Sequence, residues 1–305
     1  MYKSGGMSRN KHQSPEAITS NPEMWKRYWL EAKKRSPVNR REVAGEGAEI
    51  ERWNARACGY AQHTDTEESR ERHDRVLDWL ERRDALQAHF RVLDIGAGPG
   101  NYAVTLSSRV AEVVAVEPAA SMAGILKQRI EKQRIGNVRI NQKTWEEVSL
   151  AAEGWQEAFD LVFASMCPGV GTPDTLIKMV EASKNFCFLS GWSGSRWGKW
   201  GLSQSELWPR IFGEPLEDYP SDILYSFGLL YALGYRPELR FLRPQVHLEL
   251  DPEEAIDGLA EHFSRYTRIT PAIHETIGVY VGGNSRGGKF SQTYTTCQGF
   301  MIWQV

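Results

Sequence analysis

Apolar and polar positions follow two rhythms along this chain, and the change between them divides it. From Phe90 onward come short runs rich in Val, Ile and Phe: Phe90–Ile95, Glu112–Val116, Val138–Gln142, Phe159–Ala164 and Phe186–Ser190. Runs of that length and composition predict buried strands. Between them the apolar residues take helical spacing, at Asn101–Arg109, Ser121–Arg134, Glu146–Ala152 and Asp174–Ser183. Strands alternating with helices predict right-handed crossovers, hence a parallel sheet covered on both faces.

Upstream the pattern differs. Residues 1–21 are polar and read as disordered, after which Pro22 starts a helix with Asn21 as its cap and Trp25, Tyr28 and Trp29 on one face. Lys33–Glu49 reads as a linker, Trp53–Tyr60 as an aromatic segment, and Glu67–Leu86 as a charged helix with Val76, Leu77 and Leu80 as its apolar stripe. Beyond Gly191 helices are predicted at Ser203–Phe212 and Ser221–Leu233, then one long strand at Glu238–Leu250. Helices Pro252–Arg265 and Pro271–Tyr280 precede a turn signal at Gly282–Gly288 and a last strand, Tyr294–Val305. The stripe Ile223, Leu224, Phe227, Leu230 and Tyr231 reads as core.

Composition narrows the function. With 37 Lys and Arg against 39 Asp and Glu, the net charge is −2, so no basic excess exists to neutralise a phosphate backbone and no nucleic-acid partner is expected. The amino-terminal segment lacks a secretory core and no apolar run approaches the roughly 18 residues of a membrane span. Cytoplasmic residence without a membrane partner is the expectation. Four cysteines lie far apart and form no CxxC pair, so no metal site is expected and the thiols read as reduced and mostly buried. Trp192, Trp197 and Trp200 share a glycine-rich stretch, as a binding wall or lid would use.

The strongest chemical signal is Val92-Leu93-Asp94-Ile95-Gly96-Ala97-Gly98-Pro99-Gly100. A strand runs into three glycines and a helix follows, so the backbone can turn sharply and approach a ligand closely. The N–H groups at the helix start suit a pyrophosphate or an amino-acid carboxylate. Glu117 ends the next strand and can take both hydroxyls of a ribose. Here the glycines alternate instead of following G-x-G-x-x-G, and Asp94 would repel a pyrophosphate but could take an ammonium group.

The segment therefore resembles the cofactor motif of class I S-adenosylmethionine-dependent methyltransferases, with Asp94, Gly96, Ala97, Gly98 and Gly100 in the glycine loop. Val114-Ala115-Val116-Glu117-Pro118 through Met122 looks like the same family's second motif, with Glu117 as ribose binder. The resemblance covers roughly residues 50–191 and, more loosely, the last strand. It implies an α/β, doubly wound, mostly parallel seven-stranded sheet with an antiparallel last strand, here elaborated by helical cap insertions. Residues 1–45 would form an amino-terminal extension and 46–305 the methyltransferase domain, with cap segments at 192–220 and 251–290.

The resemblance also implies S-adenosyl-L-methionine as cofactor and a methyl acceptor as partner. The third motif of many relatives carries an acid where this chain has Lys143-Thr144-Trp145-Glu146. Thr144 stands at that place, and Trp145 either covers the adenine ring or staples the following helix. After the fourth strand, Ser165-Met166-Cys167-Pro168-Gly169 borders cofactor and acceptor and lacks the Asn-Pro-Pro-Tyr type of signature. A small-molecule acceptor is the expectation. Tyr60, His63, Cys167, Trp192 and Arg196 are the acceptor-side candidates: Tyr60 as part of a cover, His63 as a base or a surface residue, Arg196 as an anion holder or a solvated loop residue. Trp25 and Trp29 offer a surface on which a second copy could pack as a homodimer. A non-catalytic sensor of the same cofactor and an NAD-dependent oxidoreductase are the competing readings.

Overall fold

The computed structural model describes residues 20–35, 48–194, 200–216 and 222–305. The helices are α1 (Pro22–Arg35), α2 (Ala48–Thr64), α3 (Glu67–Glu81), α4 (Asn101–Ser107), α5 (Ala120–Gln133), α6 (Leu150–Glu153), α7 (Pro173–Ala182), α8 (Gly201–Phe212), α9 (Ile223–Ala232), α10 (Pro252–Phe263) and α11 (Pro271–Gly283). The strands are β1 (Arg91–Ile95), β2 (Glu112–Val116), β3 (Val138–Asn141), β4 (Phe159–Ser165), β5 (Ser183–Trp192), β6 (Glu238–Leu242), β7 (Gln245–Leu250), β8 (Ser285–Arg286), β9 (Lys289–Thr295) and β10 (Gln298–Gln304). Seven strands form one sheet in the order β3-β2-β1-β4-β5-β10-β6, and β10 runs antiparallel to both neighbours.

β1, β2 and β4 are buried along nearly their whole length, because helices cover both faces of a parallel sheet. One face packs on α3, α4 and α5, where Phe163 and Phe188 stack with centroids 4.5 Å apart. The other packs on α7, α9 and α1. α7 starts where its sequence dictates: Thr172 and Thr175 close a reciprocal capping box and Pro173 fills the first turn. α3 buries Val76, Leu77 and Leu80 as its stripe predicts. Its acidic residues Asp74, Asp78 and Glu81 gather around Arg109 at 2.9–3.1 Å, tying α3 to the end of α4.

The aromatic segment Trp53–Tyr60 lies inside a longer helix, and most of the stretch read as a linker, residues 36–47, lies outside the described residues. Ala48–Thr64 is a single helix, and Asn54 accepts the Ser121 backbone N–H at 2.9 Å, fixing α2 to the start of α5. α1 begins at Pro22 with Asn21 accepting the Met24 N–H. Only Trp25 and Trp29 of its aromatic face turn inward, and Tyr28 stays exposed. Trp25 lies on Gly228 of α9, where a Cβ would sit 2.5 Å from the indole. Trp25 and Trp29, read above as a surface on which a second copy could pack, thus make contacts within the chain. In α9, Ile223, Leu229 and Leu230 are core, whereas Leu224 and Tyr231 face outward. Cys58 is exposed and Cys187 fully buried, and all four thiols are free.

The last two predicted strands are each broken and shared between two sheets. Glu238–Leu250 divides at Arg243-Pro244 into β6 and β7, and the final run divides at Thr296-Cys297 into β9 and β10. Pro244 has no N–H to donate to a ladder. Register passes through the break without a slip: Leu242 faces Gln298 in the main sheet and Gln245 faces Thr295 in the second. The second sheet, ordered β7-β9-β8, joins α8, α10 and α11 around a separate core built on Trp208, Leu259, Phe263, Tyr280 and Phe290. A buried hydrogen bond from Ser203 to Gln292, 3.0 Å long, ties α8 to β9.

Candidate active site

β1 delivers the chain to its carboxyl edge at Ile95, and there the glycine loop is held from two sides. The backbone N–H groups of Gly96 and Ala97 donate to the Val116 carbonyl at 2.8 and 3.1 Å, clamping the loop to the end of β2. Gly96 takes φ +71°, and a Cβ there would collide with the Cys167 Sγ. The loop after β4 therefore rests directly on that glycine. Gly98 donates to Glu117 Oε2 at 2.8 Å, and Glu117 Oε1 accepts from Ala119 at 2.8 Å. Burial nevertheless raises the Glu117 pKa, against the lowering effect of these two bonds.

Asp94 is the unusual group. It is 2 % exposed, and its Oδ2 has no hydrogen-bond partner among the described residues. Burial, and secondarily the charge of Glu117, lift its pKa from 3.8 to about 7. A buried carboxylate oxygen left unmatched is costly, and an ammonium group is its natural complement.

Tyr102, in the first turn of α4, stands beside Asp94. Its hydroxyl is hydrogen-bonded to Ser165, and Ser165 is 3.0 Å from Ser190. Burial drives the Tyr102 hydroxyl far above its ordinary range, so it stays a donor. His73 packs against the same ring with centroids 4.5 Å apart, and burial plus Arg72 push its pKa down to about 4. The Arg72 guanidinium acts on Tyr60, His73 and Tyr102 together and donates to Ser69 Oγ at 3.0 Å. One carboxylate and one guanidinium thus meet around Tyr102. That pair matches the ammonium and carboxylate of an amino-acid moiety.

These residues line a cavity of about 880 Å³ that lies between the strand ends, α2 and the second core. Its size suits a small ligand with a cofactor. Of the candidates from the sequence, Asp94, Gly96, Ala97, Gly98, Ser165, Tyr60, His63, Cys167 and Trp192 all reach it. Gly100 does not; it caps α4 with φ +89°. Glu117 lies behind the loop, and Pro118 also stands off the cavity wall.

Met122 is turned away into a small cluster with Ala57 and Ala119. Thr144 is spent on Glu147, whose carboxylate accepts from the Thr144 N–H at 2.8 Å and from its hydroxyl at 3.0 Å. Trp145 does not cover a ring in the cavity. It is 2 % exposed, its Nε1 donates to the Thr175 carbonyl at 3.0 Å, and Lys178 lies over its face. Arg196 and Trp197 lie outside the described residues.

Cys167 forms part of the cavity wall, and burial pushes its thiol up to about 12, which disfavours the thiolate. Sequence reasoning missed Arg72, His73 and Tyr102. Arg72 and His73 sit in a helix whose charges read as solvated, and only the position of Tyr102 just after Gly100 offered a signal. The cap-side residues Gln204, His262 and Arg265 carried none.

A strand-ending acid, a glycine loop and this sheet order define a Rossmann-like methyltransferase domain. Residues 92–185 match the family described as methyltransferase domain. The chain carries a class I S-adenosylmethionine-dependent methyltransferase domain. It is 38% identical over 87 residues to the 23S rRNA (uracil(1939)-C(5))-methyltransferase RlmD of Pseudomonas fluorescens, covering 28% of this chain and 18% of that protein. An uncharacterized protein of Haemophilus influenzae is 26% identical over 163 residues, covering 52% of this chain and 56% of its own length. The chain thus spans less than a fifth of the ribosomal RNA enzyme and about half of the Haemophilus protein. A solved structure from Bacillus halodurans, provisionally described as a methyltransferase, shares the fold at TM-score 0.50 and 14% identity, over 75% of this chain and 97% of that one.

Proposed function

We propose that this chain transfers the methyl group of S-adenosylmethionine to a small-molecule acceptor bound beneath the cap. The observation that carries the reading is the unmatched Oδ2 of Asp94 on a cavity closed by a second, separately cored unit. Residues 46–305 would form the catalytic domain, with 1–45 as an extension and 192–220 and 251–290 contributing the cap.

Asp94 would hold the methionine ammonium and Arg72 its carboxylate. Glu117 would take the ribose hydroxyls. Both its oxygens already accept backbone N–H groups, but a carboxylate has about four lone-pair sites, so capacity remains. When bound, the cofactor supplies a methyl group on a sulfonium, open to in-line displacement. The chain's contribution is then alignment and exclusion of water.

Tyr60 forms an edge-on pair with Trp53, centroids 5.6 Å apart, and with it walls the entrance from α2. Desolvation raises its pKa, so its hydroxyl orients by donating and is no base. His73, neutral above pH about 4, accepts a proton only weakly. His63 is the other base candidate on the cavity wall.

Calorimetric titration with S-adenosylmethionine, S-adenosylhomocysteine and NAD tests the reading. Binding of the first two alone supports it, and binding of NAD alone overturns it. Transfer of labelled methyl to small acceptors then separates an enzyme from a sensor. Labelling of ribosomal RNA, with no small acceptor found, would replace the proposed acceptor class.

A further inference from the structure

The cap side of the cavity has its own chemistry, distinct from the cofactor side. Arg52 and Arg56 of α2 and Arg265, just beyond α10, line the same cavity, and both α2 guanidinium groups stand close enough to act on Arg265. Arg56 is paired with Glu261 at 2.8 Å. Arg265 is half-buried and has no ion-pair partner within 4.0 Å among the described residues. Two polar groups on the same cavity are also unmatched among the described residues. Gln204 is 7 % exposed, and neither its Nε2 nor the Nε2 of His262 meets a protein partner. Both side chains line the same cavity.

A guanidinium withdrawn from water, with Arg52 and Arg56 acting on it and the nearby Glu261 carboxylate already paired with Arg56, is under-compensated. Burial and Arg56 accordingly hold the Arg265 pKa below its ordinary value, while burial and Arg265 hold the His262 imidazole neutral, at about 3. Three unmet demands on one wall have one common solution, a ligand bringing negative charge and acceptor oxygens.

We infer that Arg265, supported by Arg52, Arg56 and Gln204, binds an anionic group of the methyl acceptor, a carboxylate or a phosphate. The inference rests on the methyltransferase reading and names the acceptor's class. It also locates the reacting atom, since an acceptor anchored at Arg265 extends toward Tyr60, Ser165 and the strand ends on the same cavity.

The test begins by saturating the full chain with S-adenosylhomocysteine. Benzoate, phenyl phosphate and the neutral isostere benzamide are then titrated by calorimetry. Benzoate or phenyl phosphate should bind and benzamide should not. Arg265→Gln should weaken anion binding at least tenfold while leaving the affinity for S-adenosylhomocysteine unchanged. Arg268→Gln, which removes an exposed charge three residues away, should change neither. If Arg265→Gln does not fold, Arg265→Lys keeps the charge, loses the bidentate geometry and should retain part of the binding. Equal binding of benzamide, or anion binding unaltered in either Arg265 variant, overturns the inference. No anion binding by the S-adenosylhomocysteine complex overturns it too and leaves the methyltransferase reading standing. Failure to bind S-adenosylhomocysteine removes both. A uridine oligonucleotide that binds through Arg265 when neither small anion does would reassign this wall to a nucleic-acid phosphate.

Discussion

The Glu117 carboxylate accepts the backbone N–H of Gly98 at 2.8 Å, so the acid at the end of β2 and the glycine loop at the end of β1 form one unit. The other oxygen holds Ala119 at the start of α5. The side chain proposed to take the ribose is also the clamp of the loop. Glu117→Ala should therefore weaken S-adenosylmethionine binding by about 1–3 kcal/mol and also lower the melting temperature, because a buried and a part-buried N–H lose their acceptor. Glu117→Gln keeps one oxygen and should recover part of the stability. Calorimetry and thermal denaturation of the two variants separate the roles, and unchanged affinity in both would remove Glu117 from the cofactor site.

If Asp94 meets the ammonium as proposed, cofactor affinity depends on pH. Its pKa in the free chain is about 7, and a bound ammonium would favour the carboxylate and lower it. Affinity for S-adenosylhomocysteine should therefore fall as pH drops below 7, approaching tenfold per unit, and level off above. Titrations at pH 6.5 in buffers of different ionisation enthalpy should show proton release on binding. A flat affinity from pH 5.5 to 8 would mean that Asp94 does not meet the ammonium.

The same residue sets stability against function. The folded-state pKa lies above 3.8, so the contribution of Asp94 is fullest below the ordinary carboxylate value and is lost as pH rises through about 7. Asp94→Asn removes that loss and should raise the melting temperature at pH 8 but not at pH 4. It should weaken cofactor binding by about 1.5–3 kcal/mol, as expected for a bond to a charged group. A variant less stable at pH 8 would contradict this account.

Gly96 is closed to a side chain by two independent causes, a φ of +71° and the thiol of Cys167. Gly96→Ala should cost about 1–3 kcal/mol from each. In a Cys167→Ala background the steric part should shrink and the backbone part remain. Denaturant midpoints of the four chains measure the split, and full recovery in the double variant would show that the backbone is not strained.

Gly228 is the corresponding close approach on the far face, where Trp25 packs. Gly228→Ala should detach or displace α1 and destabilise the fold by about 1–3 kcal/mol. A concurrent rise in tryptophan exposure, read by quenching, would be diagnostic. Unaltered fluorescence and stability would mean that α1 is not docked there in solution.

The parallel strands were legible because their apolar runs are bounded by turns and buried on both faces. Glu112–Val116 was read to the residue. The glycine loop was legible because glycine, unlike most residues, reports backbone geometry directly. Trp145 was not, since a large aromatic beside a cofactor motif looks alike whether it faces the ligand or the core. Only its partner Thr175, 30 residues on, decides the matter. The strand breaks at Pro244 and Thr296 were missed for a similar reason. Apolar residues recur on both sides of each break, and only the proline marks where the ribbon changes sheets.

That ribbon has a consequence for how the chain is assembled. Thr296 donates its N–H to the Pro244 carbonyl at 3.1 Å, so the two ends of everything between them lie within one strand spacing. Residues 245–295 occupy the place of a hairpin's turn. The sheet's order and register are complete without them, which makes most of the proposed cap an exchangeable module: its size, lining and charge can change while the strand ends that carry the glycine loop and Asp94 stay where they are.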